Sequence, residues 1–338
     1  MASSIMQKNK ITFLKSQFLC IMKTTISTLA LALLISATSL TVSAKTNIAF
    51  LSNPDYDASV LVQSALRNIS KNYSKNDSFV SAYYKEIITK DDKAVSLSEA
   101  ILDINKASYL TSKSDQIAIK AVRANNKSKT SLPFAVKLQG GPNTALMIDL
   151  VKYPFLGCDP SKINDFYTFD YDSPVNIDNK LFYVVKFDQK YLGEDILFRG
   201  KLFIEANSHA IGKVEFAMNV EKRGDAYLAF VKEKPAYLQL SVKYANYTVG
   251  YKEYNNKWYY DYSRSDVKFE AKNKKRNIDS EYILSSKMVI TQVYTQTANK
   301  MDKNNVLRYS DILSEKTRTG DDSLIWELYD EMMLLAML

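Results

Sequence analysis

The clearest alternation of hydrophobic and polar side chains lies in residues 181–220. Three runs with a period of two are separated there by turn residues at 193–195 and 207–208. Period-two alternation bounded by Gly, Asn, Asp and Ser is typical of antiparallel strands joined by hairpins. This stretch therefore predicts three neighbouring strands of a meander.

Similar runs predict further strands along most of the chain, over residues 79–88, 95–105, 116–124, 146–152, 166–171, 237–244, 257–269 and 279–294. Strands that follow strands, with few helices between them, indicate an antiparallel sheet and not βαβ units. A polar face that alternates with an aromatic and aliphatic one suggests a sheet with one lined side. The predicted fold class is mainly β (α+β), a curved antiparallel sheet or half-barrel with an N-terminal helix packed across it.

Two segments show helical spacing. The first covers residues 57–73, with Asp57 as the N-cap. Its apolar stripe consists of Val60, Leu61, Ala65, Leu66, Ile69 and Tyr73. The second covers residues 321–338, with Leu324, Ile325, Leu328, Met332 and Leu335 on one stripe. Because that segment ends on apolar residues, we expect this end either to be buried or to continue in the natural chain.

The N-terminal segment has the form of a signal peptide. Met22 and Lys23 precede an apolar run at 29–35, and Val42, Ser43 and Ala44 provide a small-residue cleavage site. The run is too short for a membrane span of ~30 Å. We therefore expect residues 1–44 to be removed, with the true start at Met22. A single β-rich domain is expected over 45–320, since no Pro-, Gly- or Ser-rich linker divides the chain.

Charge and cysteine content change this interpretation little. The formal net charge is +8, and four of the lysines lie in residues 1–44, which contain no acid. The remainder, +8 − 4 = +4, is too mildly basic to indicate nucleic acid binding. Cys158 would be the one cysteine left after cleavage. It cannot form an internal disulfide, so stability must come from the core.

Catalytic motifs are scarce in the sequence. His209 is the one histidine, and it lies in a predicted turn, where an exposed structural role is the simpler account. One histidine and one cysteine cannot build a zinc site or a metal-based hydrolase. We find no nucleophile elbow, phosphate loop or dinucleotide fingerprint, and we expect no cofactor. A pair of carboxylates remains the catalytic option, from Glu86, Glu99, Asp103, Asp149, Glu205 and Glu215.

Two local clusters suggest surfaces. The basic run at 271–276 could contact an acidic membrane or lipopolysaccharide, although a solvated hairpin turn explains it more simply. The aromatic stretch at 251–262 could stack on bases only beside a basic groove. Sheet packing is the better account in an exported protein, so no nucleic acid partner is expected.

Several short motifs are spread along the chain: YYKE at 83–86, SEA at 98–100, GGP at 140–142, RGKLFIE at 199–205 with AI at 210–211, and WYY at 258–260 with Arg264. Together they resemble a family of exported Bacteroidota proteins named "carboxypeptidase-like regulatory domain-containing protein". The likeness covers about residues 60–293. Members usually carry a small β-sandwich domain before the helix, for which this chain has too few residues. The resemblance implies export and no peptidase activity.

The strand series with a crossing helix is also similar to the outer-membrane lipoprotein carrier fold, whose concave face takes acyl chains. That likeness is architectural. It suggests a non-enzymatic protein of the periplasm or outer membrane that binds an apolar or lipidic ligand. The candidate lining residues are Tyr183, Val185, Phe187, Phe203, Phe216 and Met218. The alternatives are a structural or assembly partner of outer-membrane proteins, with a filled interior, and a carboxylate-based hydrolase.

Overall fold

A computed structural model of the chain describes residues 57–126, 137–138, 141–156, 159–190, 196–221 and 223–294, and separate positions between 301 and 330. The predicted signal peptide and Cys158 lie outside the described residues. Within the described part of the chain, no helix is both long enough and apolar enough to span a membrane.

Most of the described residues belong to one antiparallel sheet. Its ten strands lie in the order β3-β2-β1-β12-β11-β10-β8-β7-β6-β5, and a second sheet pairs β4 with β9. The strands are β1 (Ser78–Lys90), β2 (Lys93–Lys106), β3 (Gln116–Asn126), β4 (Lys137–Leu138), β5 (Tyr167–Ile177), β6 (Lys180–Gln189), β7 (Phe198–Glu205), β8 (Ile211–Met218), β9 (Val231–Glu233), β10 (Gln239–Tyr254), β11 (Lys257–Asn273) and β12 (Ile278–Tyr294). The mainly β, antiparallel fold class is confirmed.

Helices are few and short in the described residues. They are α1 (Ala58–Arg67), α2 (Ile69–Asn72), α3 (Pro142–Met147) and α4 (Ile163–Phe166). Single 3-10 turns occur at Pro160–Lys162, Ala226–Ala229 and Lys274–Arg276. In the predicted C-terminal helix, residues 326–327 and 329–330 are helical, and the predicted apolar stripe lies outside the described residues.

Three hairpins are tight because their turn residues accept left-handed backbone. Asp91–Asp92, Asp178–Asn179 and Asn255–Asn256 all have positive φ, between 47° and 62°. Two central residues with positive φ match the right-handed twist of the flanking strands, and Asn and Asp tolerate that conformation. These pairs therefore join β1 to β2, β5 to β6, and β10 to β11 with two residues each.

One predicted strand is wrong. Residues 146–152 were expected to be extended, but Pro142–Met147 forms helix α3. Pro142 stands at the start of that helix, where its fixed φ and missing N–H are tolerated. The apolar run that follows is too short for its period to separate a strand from a helix.

The chain forms two compact units. The first comprises the chain up to Ser74, Asp149–Asn219 and Gly250–Tyr259. The second comprises Lys75–Ile148, Val220–Val249 and the chain from Tyr260 on. The single domain over 45–320 stays a prediction.

Helix α1 packs on the sheet in the first unit, as the sequence predicts. Asp57 caps it, its carboxylate accepting a hydrogen bond of 2.8 Å from the Ser59 amide. Its buried residues are Ala58, Ser59, Leu61, Val62, Ala65 and Leu66. Val60 was expected among them but is 50% exposed, because Val62 occupies the stripe that residues 58, 61, 65 and 66 define.

Candidate functional site

Five of the six predicted lining residues share one face of the sheet in the first unit. Tyr183, Val185 and Phe187 alternate along β6. Phe187 pairs with Gly200, and Gly200 pairs with Phe216 two residues before Met218. Residues paired across strands point to the same side. Tyr183, Val185, Phe187, Phe216 and Met218 are called the helix-covered face below.

Other side chains fill the space over this face. Helix α1 contacts β5, the edge strand next to β6. The ring of Phe155 lies 4.5 Å from that of Phe216, and Tyr167 meets Phe187 edge-on at 5.8 Å. All five residues of the face are buried. They are therefore packed as core.

Gly200 allows two strands to approach closely on this face. A Cβ atom at this position would lie 2.1 Å from the Glu215 carbonyl oxygen and 2.7 Å from the Phe216 Cα. Both neighbours are backbone, which cannot move aside cheaply. A glycine is therefore required at this position of β7, where the strand lies between β6 and β8.

Phe203 lies on the opposite face. It pairs with Val184, which alternates with Val185 along β6. The Nζ atom of Lys213 lies 4.9 Å from the centre of its ring and shields it. Ion pairs surround it, with the Asp172 carboxylate 2.9 Å from Lys201 and 3.4 Å from Lys186. Phe203 is therefore buried beneath the charged side chains of this face, and the structure does not bring it together with the other five residues.

In the second unit, one face of the sheet carries polar side chains across four strands. Glu86 on β1 pairs with Ser98 on β2 and with Ser286 on β12, which pairs with Ser265 on β11. These four residues are called the polar row. The neighbouring rows on the same face are mostly apolar, with Met288, Tyr84 and Ala100 on one side and Val267, Leu284 and Ile88 on the other.

Hydrogen bonds hold most of the polar row in place. The Tyr84 hydroxyl donates to Glu86 at 2.9 Å, and the Gly141 N–H also donates to Glu86. The hydroxyls of Ser265 and Ser286 lie 2.7 Å apart. Burial raises the pKa of Glu86 despite these two donors. The carboxyl group of Glu86 is thus held where its charged form is disfavoured.

Ser98 completes the polar row without a hydrogen-bond partner. It is 1% exposed, and its hydroxyl has no donor or acceptor in hydrogen-bond reach among the described residues. A buried polar group without a partner costs about 1–3 kcal/mol. A serine at this position is therefore not explained by the stability of the unit.

The opposite face of the same strands carries a charge network. Arg123 donates to Glu99 at 2.8 Å and to both carboxylate oxygens of Asp330 at 3.1 Å, and its guanidinium lies 4.0 Å from the centre of the Trp326 ring. Burial raises the pKa of Glu99, but hydrogen bonds from Arg123 and Tyr83 outweigh it and lower that pKa. The network fixes the C-terminal helical segment on β1–β3.

Each of the six carboxylates considered for hydrolysis has a structural partner. The partners are Tyr84 for Glu86, Arg123 for Glu99, Ser81 for Asp103, Tyr251 for Asp149, Ser208 for Glu205 and Lys213 for Glu215. Alternation along β1 and β2 also places Glu86 and Glu99 on opposite faces. Among the described residues, no group of three or more His, Cys, Asp or Glu side chains is arranged to hold a metal ion.

His209 is more than an exposed turn residue. It has a positive φ of 56°, and its Nδ1 atom lies 2.8 Å from the Ser64 hydroxyl on helix α1. Burial lowers its pKa, against the opposing effect of Glu205. His209 therefore helps to fix helix α1 to the β7–β8 hairpin.

Sequence reasoning missed the polar row and the buried Trp326 and Tyr329. One signal was available for the row. Glu86 interrupts an otherwise apolar alternation of Val80, Ala82, Tyr84 and Ile88. The pairing of Glu86 with Ser98 and Ser286 depends on strand order, which the sequence does not specify.

No protein-family model matches the chain, and no curated protein sequence matches it. The resemblance to the exported Bacteroidota family therefore stays a prediction.

Solved structures do match. One is a putative outer-membrane lipoprotein-sorting domain from Vibrio parahaemolyticus, with TM-score 0.31 and 10% identity over 73% of this chain and 94% of that one. Another is a LolA-superfamily protein from Nitrosomonas europaea, with TM-score 0.29 and 10% identity over 72% and 98%. A DUF1329 family protein from Desulfovibrio piger matches with TM-score 0.29 and 8% identity over 72% and 96%. The first two belong to the class that the strand series resembles, but similarity at this level supports no argument about function.

Proposed function

We propose that this protein is an exported, non-enzymatic module of the bacterial cell envelope that binds an apolar or lipidic ligand. It would act in the periplasm or at the outer membrane after removal of residues 1–44. The observation that carries this proposal is the polar row inside the apolar sheet face of the second unit, and above all the unpartnered hydroxyl of Ser98.

An amphipathic ligand would satisfy both features of this face. The apolar rows around Tyr84 and Leu284, which are buried in this structure, would contact an acyl chain or another hydrocarbon body. The polar row would meet the ligand's polar group. Ser98 supplies a donor and acceptor, and Glu86, with its raised pKa, supplies a carboxyl that is protonated more readily than usual.

A structural or assembly role is the second candidate, and the first unit favours it. Tyr183, Val185, Phe187, Phe216 and Met218 are covered by other parts of that unit and behave as ordinary core. As ligand-lining residues, these five and Phe203 stay predictions. In this alternative the protein would present its outer surfaces to envelope partners and carry no ligand.

Lipid recovery from the full chain separates the two roles. The exported protein is purified without detergent from a Gram-negative periplasm, and organic extracts are analysed by mass spectrometry. Displacement of a bound fluorescent fatty acid, 11-dansylundecanoic acid, by palmitate gives a second measurement. We expect copurified lipid and saturable probe binding, because about 0.8 kcal/mol is gained per buried methylene group. Absence of both would contradict the ligand-binding function and favour the structural role.

Variants of the polar row locate the binding. Ser98→Val and Glu86→Gln should each weaken probe binding severalfold, because each changes a polar contact that the ligand makes. Glu281→Gln is the matched control, since Glu281 is an exposed carboxylate on the other face of the same strands. Equal losses of probe binding in Glu86→Gln and Glu281→Gln would show that the polar row does not contact the ligand.

A further inference from the structure

Three basic residues lie side by side on the second unit's other sheet face. Lys85 on β1 pairs directly with Lys287 on β12, and Lys287 pairs directly with Arg264 on β11. Directly opposed residues on neighbouring strands have Cβ atoms about 4.5–5.5 Å apart. Lys85, Lys287 and Arg264 are called the basic row below. Lys287 and Arg264 are exposed, and Lys85 is partly exposed.

Carboxylates leave most of the basic row uncompensated. Lys85 is opposite Glu99 and helps to lower the pKa of that carboxyl group, whereas Lys287 has only Lys85 and Arg264 directly opposite it. Among the described residues, none of the three side chains forms a hydrogen bond or an ion pair within 4.0 Å. The nearest carboxylates on this face are otherwise engaged. Glu99, opposite Lys85, binds Arg123 at 2.8 Å, and Asp266, two residues from Arg264, accepts a hydrogen bond of 2.5 Å from Ser285.

Neighbouring lysines on the same strands are paired with carboxylates. Lys268 lies 2.9 Å from Glu281, and Glu270 binds both Lys243 at 2.9 Å and Lys272 at 2.7 Å. Like charges directly opposed on adjacent strands destabilise a sheet, whereas opposite charges stabilise it. The two like-charge contacts of Lys287, with Lys85 and with Arg264, therefore cost stability at a place where the adjoining rows gain it.

The chemistry of the row favours a surface carrying many phosphates over one tightly held anion. Strands β1, β12 and β11 lie inside the sheet, so their amides are committed to the strand ladder. The basic row can therefore bind an anion only through the charges of its flexible side chains. Partly exposed apolar residues flank them, Val289 and Tyr262 on one side and Ile87 and Leu97 on the other. Basic and apolar side chains on one surface suit the headgroup region of a membrane.

We propose that Lys85, Lys287 and Arg264 dock the second unit on the phosphate groups of an anionic phospholipid membrane. This inference is independent of the proposed ligand, because the basic row and the polar row occupy opposite faces of the same strands. It names a membrane as the partner of the sheet face that carries the basic row.

Vesicle cosedimentation of the full chain tests the docking. Phosphatidylcholine vesicles with and without phosphatidylglycerol are compared at low and high salt. We expect binding that requires phosphatidylglycerol and that weakens with salt, since exposed charges are screened. Each change of one member to Gln should weaken binding about fivefold, and the triple variant K85Q/K287Q/R264Q about a hundredfold.

The matched control removes the same charge from paired lysines. The triple variant K243Q/K268Q/K272Q has the same net charge as the test variant, but its three lysines neighbour Glu270 and Glu281. It should retain most of the vesicle binding. Equal losses in both triple variants would show that net charge alone drives binding and would overturn the proposal.

Two further measurements exclude other roles of the row. Inorganic phosphate should displace the vesicles only at concentrations where sodium chloride of equal ionic strength also displaces them. Displacement at far lower phosphate concentrations would indicate a site for free phosphate and would overturn membrane docking.

The melting temperature of K85Q/K287Q/R264Q should be equal to or above that of the wild type, because like-charge repulsion is relieved. A lower melting temperature combined with unchanged vesicle binding would assign the row to stability alone.

Discussion

The strands of the two units show the same alternation of hydrophobic and polar residues, but their sheet faces carry different side chains. In the first unit, the helix-covered face is closed by helix α1 and Phe155, and the charges on its other face pair with one another, as Asp172 does with Lys186 and Lys201. In the second unit, one face carries the polar row and the other the basic row, in which Lys287 has only basic residues directly opposite it. Alternation thus specifies which residues of a strand share a face, but not which other side chains that face meets.

The largest expected effect tests the closure of the first unit. Leu61→Ala on helix α1 removes a side chain that is 1% exposed. We expect the free energy of unfolding to fall by about 2–5 kcal/mol, measured by urea denaturation, because a cavity adds to the lost burial. Val60→Ala on the same helix is the control and should change it by less than about 0.5 kcal/mol. Similar values for both variants would mean that α1 does not close this face.

A smaller loss is expected from the charge network of the second unit. Arg123→Ala leaves buried Glu99 with Tyr83 as its remaining hydrogen-bond donor. We expect a loss of about 2 kcal/mol in the free energy of unfolding, kept modest because Arg123 is partly exposed. Lys120→Ala, at an exposed lysine 3.8 Å from Asp103, should cost between about 0 and 1 kcal/mol. If Lys120→Ala lowers the free energy of unfolding as much as Arg123→Ala does, the charge network stabilises the unit no more than an exposed ion pair.

The polar row should affect stability in the opposite direction. Burial raises the pKa of Glu86 above its usual 4.5, so folding disfavours its charged form. The stability of the wild type should therefore decline as pH rises from about 4.5 through the raised pKa. Glu86→Gln removes this titration and should be the more stable protein at neutral pH, with the difference vanishing in acid. Thermal melting across this range measures it, and a less stable variant at pH 7 would contradict the expectation.

The smallest effect is expected at the contact between helix α1 and His209. Burial lowers the pKa of His209 below its usual 6.5, so the neutral ring is favoured on folding. The stability contribution is complete above pH 6.5 and is lost as pH falls through the lowered pKa. His209→Asn should flatten the pH dependence of the melting temperature just below pH 6.5, and Asn tolerates the positive φ of 56°. Ser64→Ala, which keeps the titrating ring, should not flatten it.

Particular residues show why some features were predictable. The helix over 57–73 and its Asp57 cap follow from local hydrogen bonding and a 3.6-residue period. Glu86 was recognisable as a carboxylate in an apolar alternation. Phe203 lies on the other face from the remaining five candidates, because odd-numbered residues of β6 share a face with even-numbered residues of β7 and β8 in this register. Register depends on contacts between strands.

The sequence by itself determined the alternating strands, the N-terminal helix and the Asp and Asn pairs that accept tight turns, because each depends on interactions within a few residues of the chain. Only the tertiary structure decided which residues of different strands lie side by side and which faces of the strands are covered. Lys85, Lys287 and Arg264 lie up to about two hundred positions apart in the chain, as do Glu86, Ser98 and Ser286. Strand pairing places them side by side, and no local pattern records that pairing.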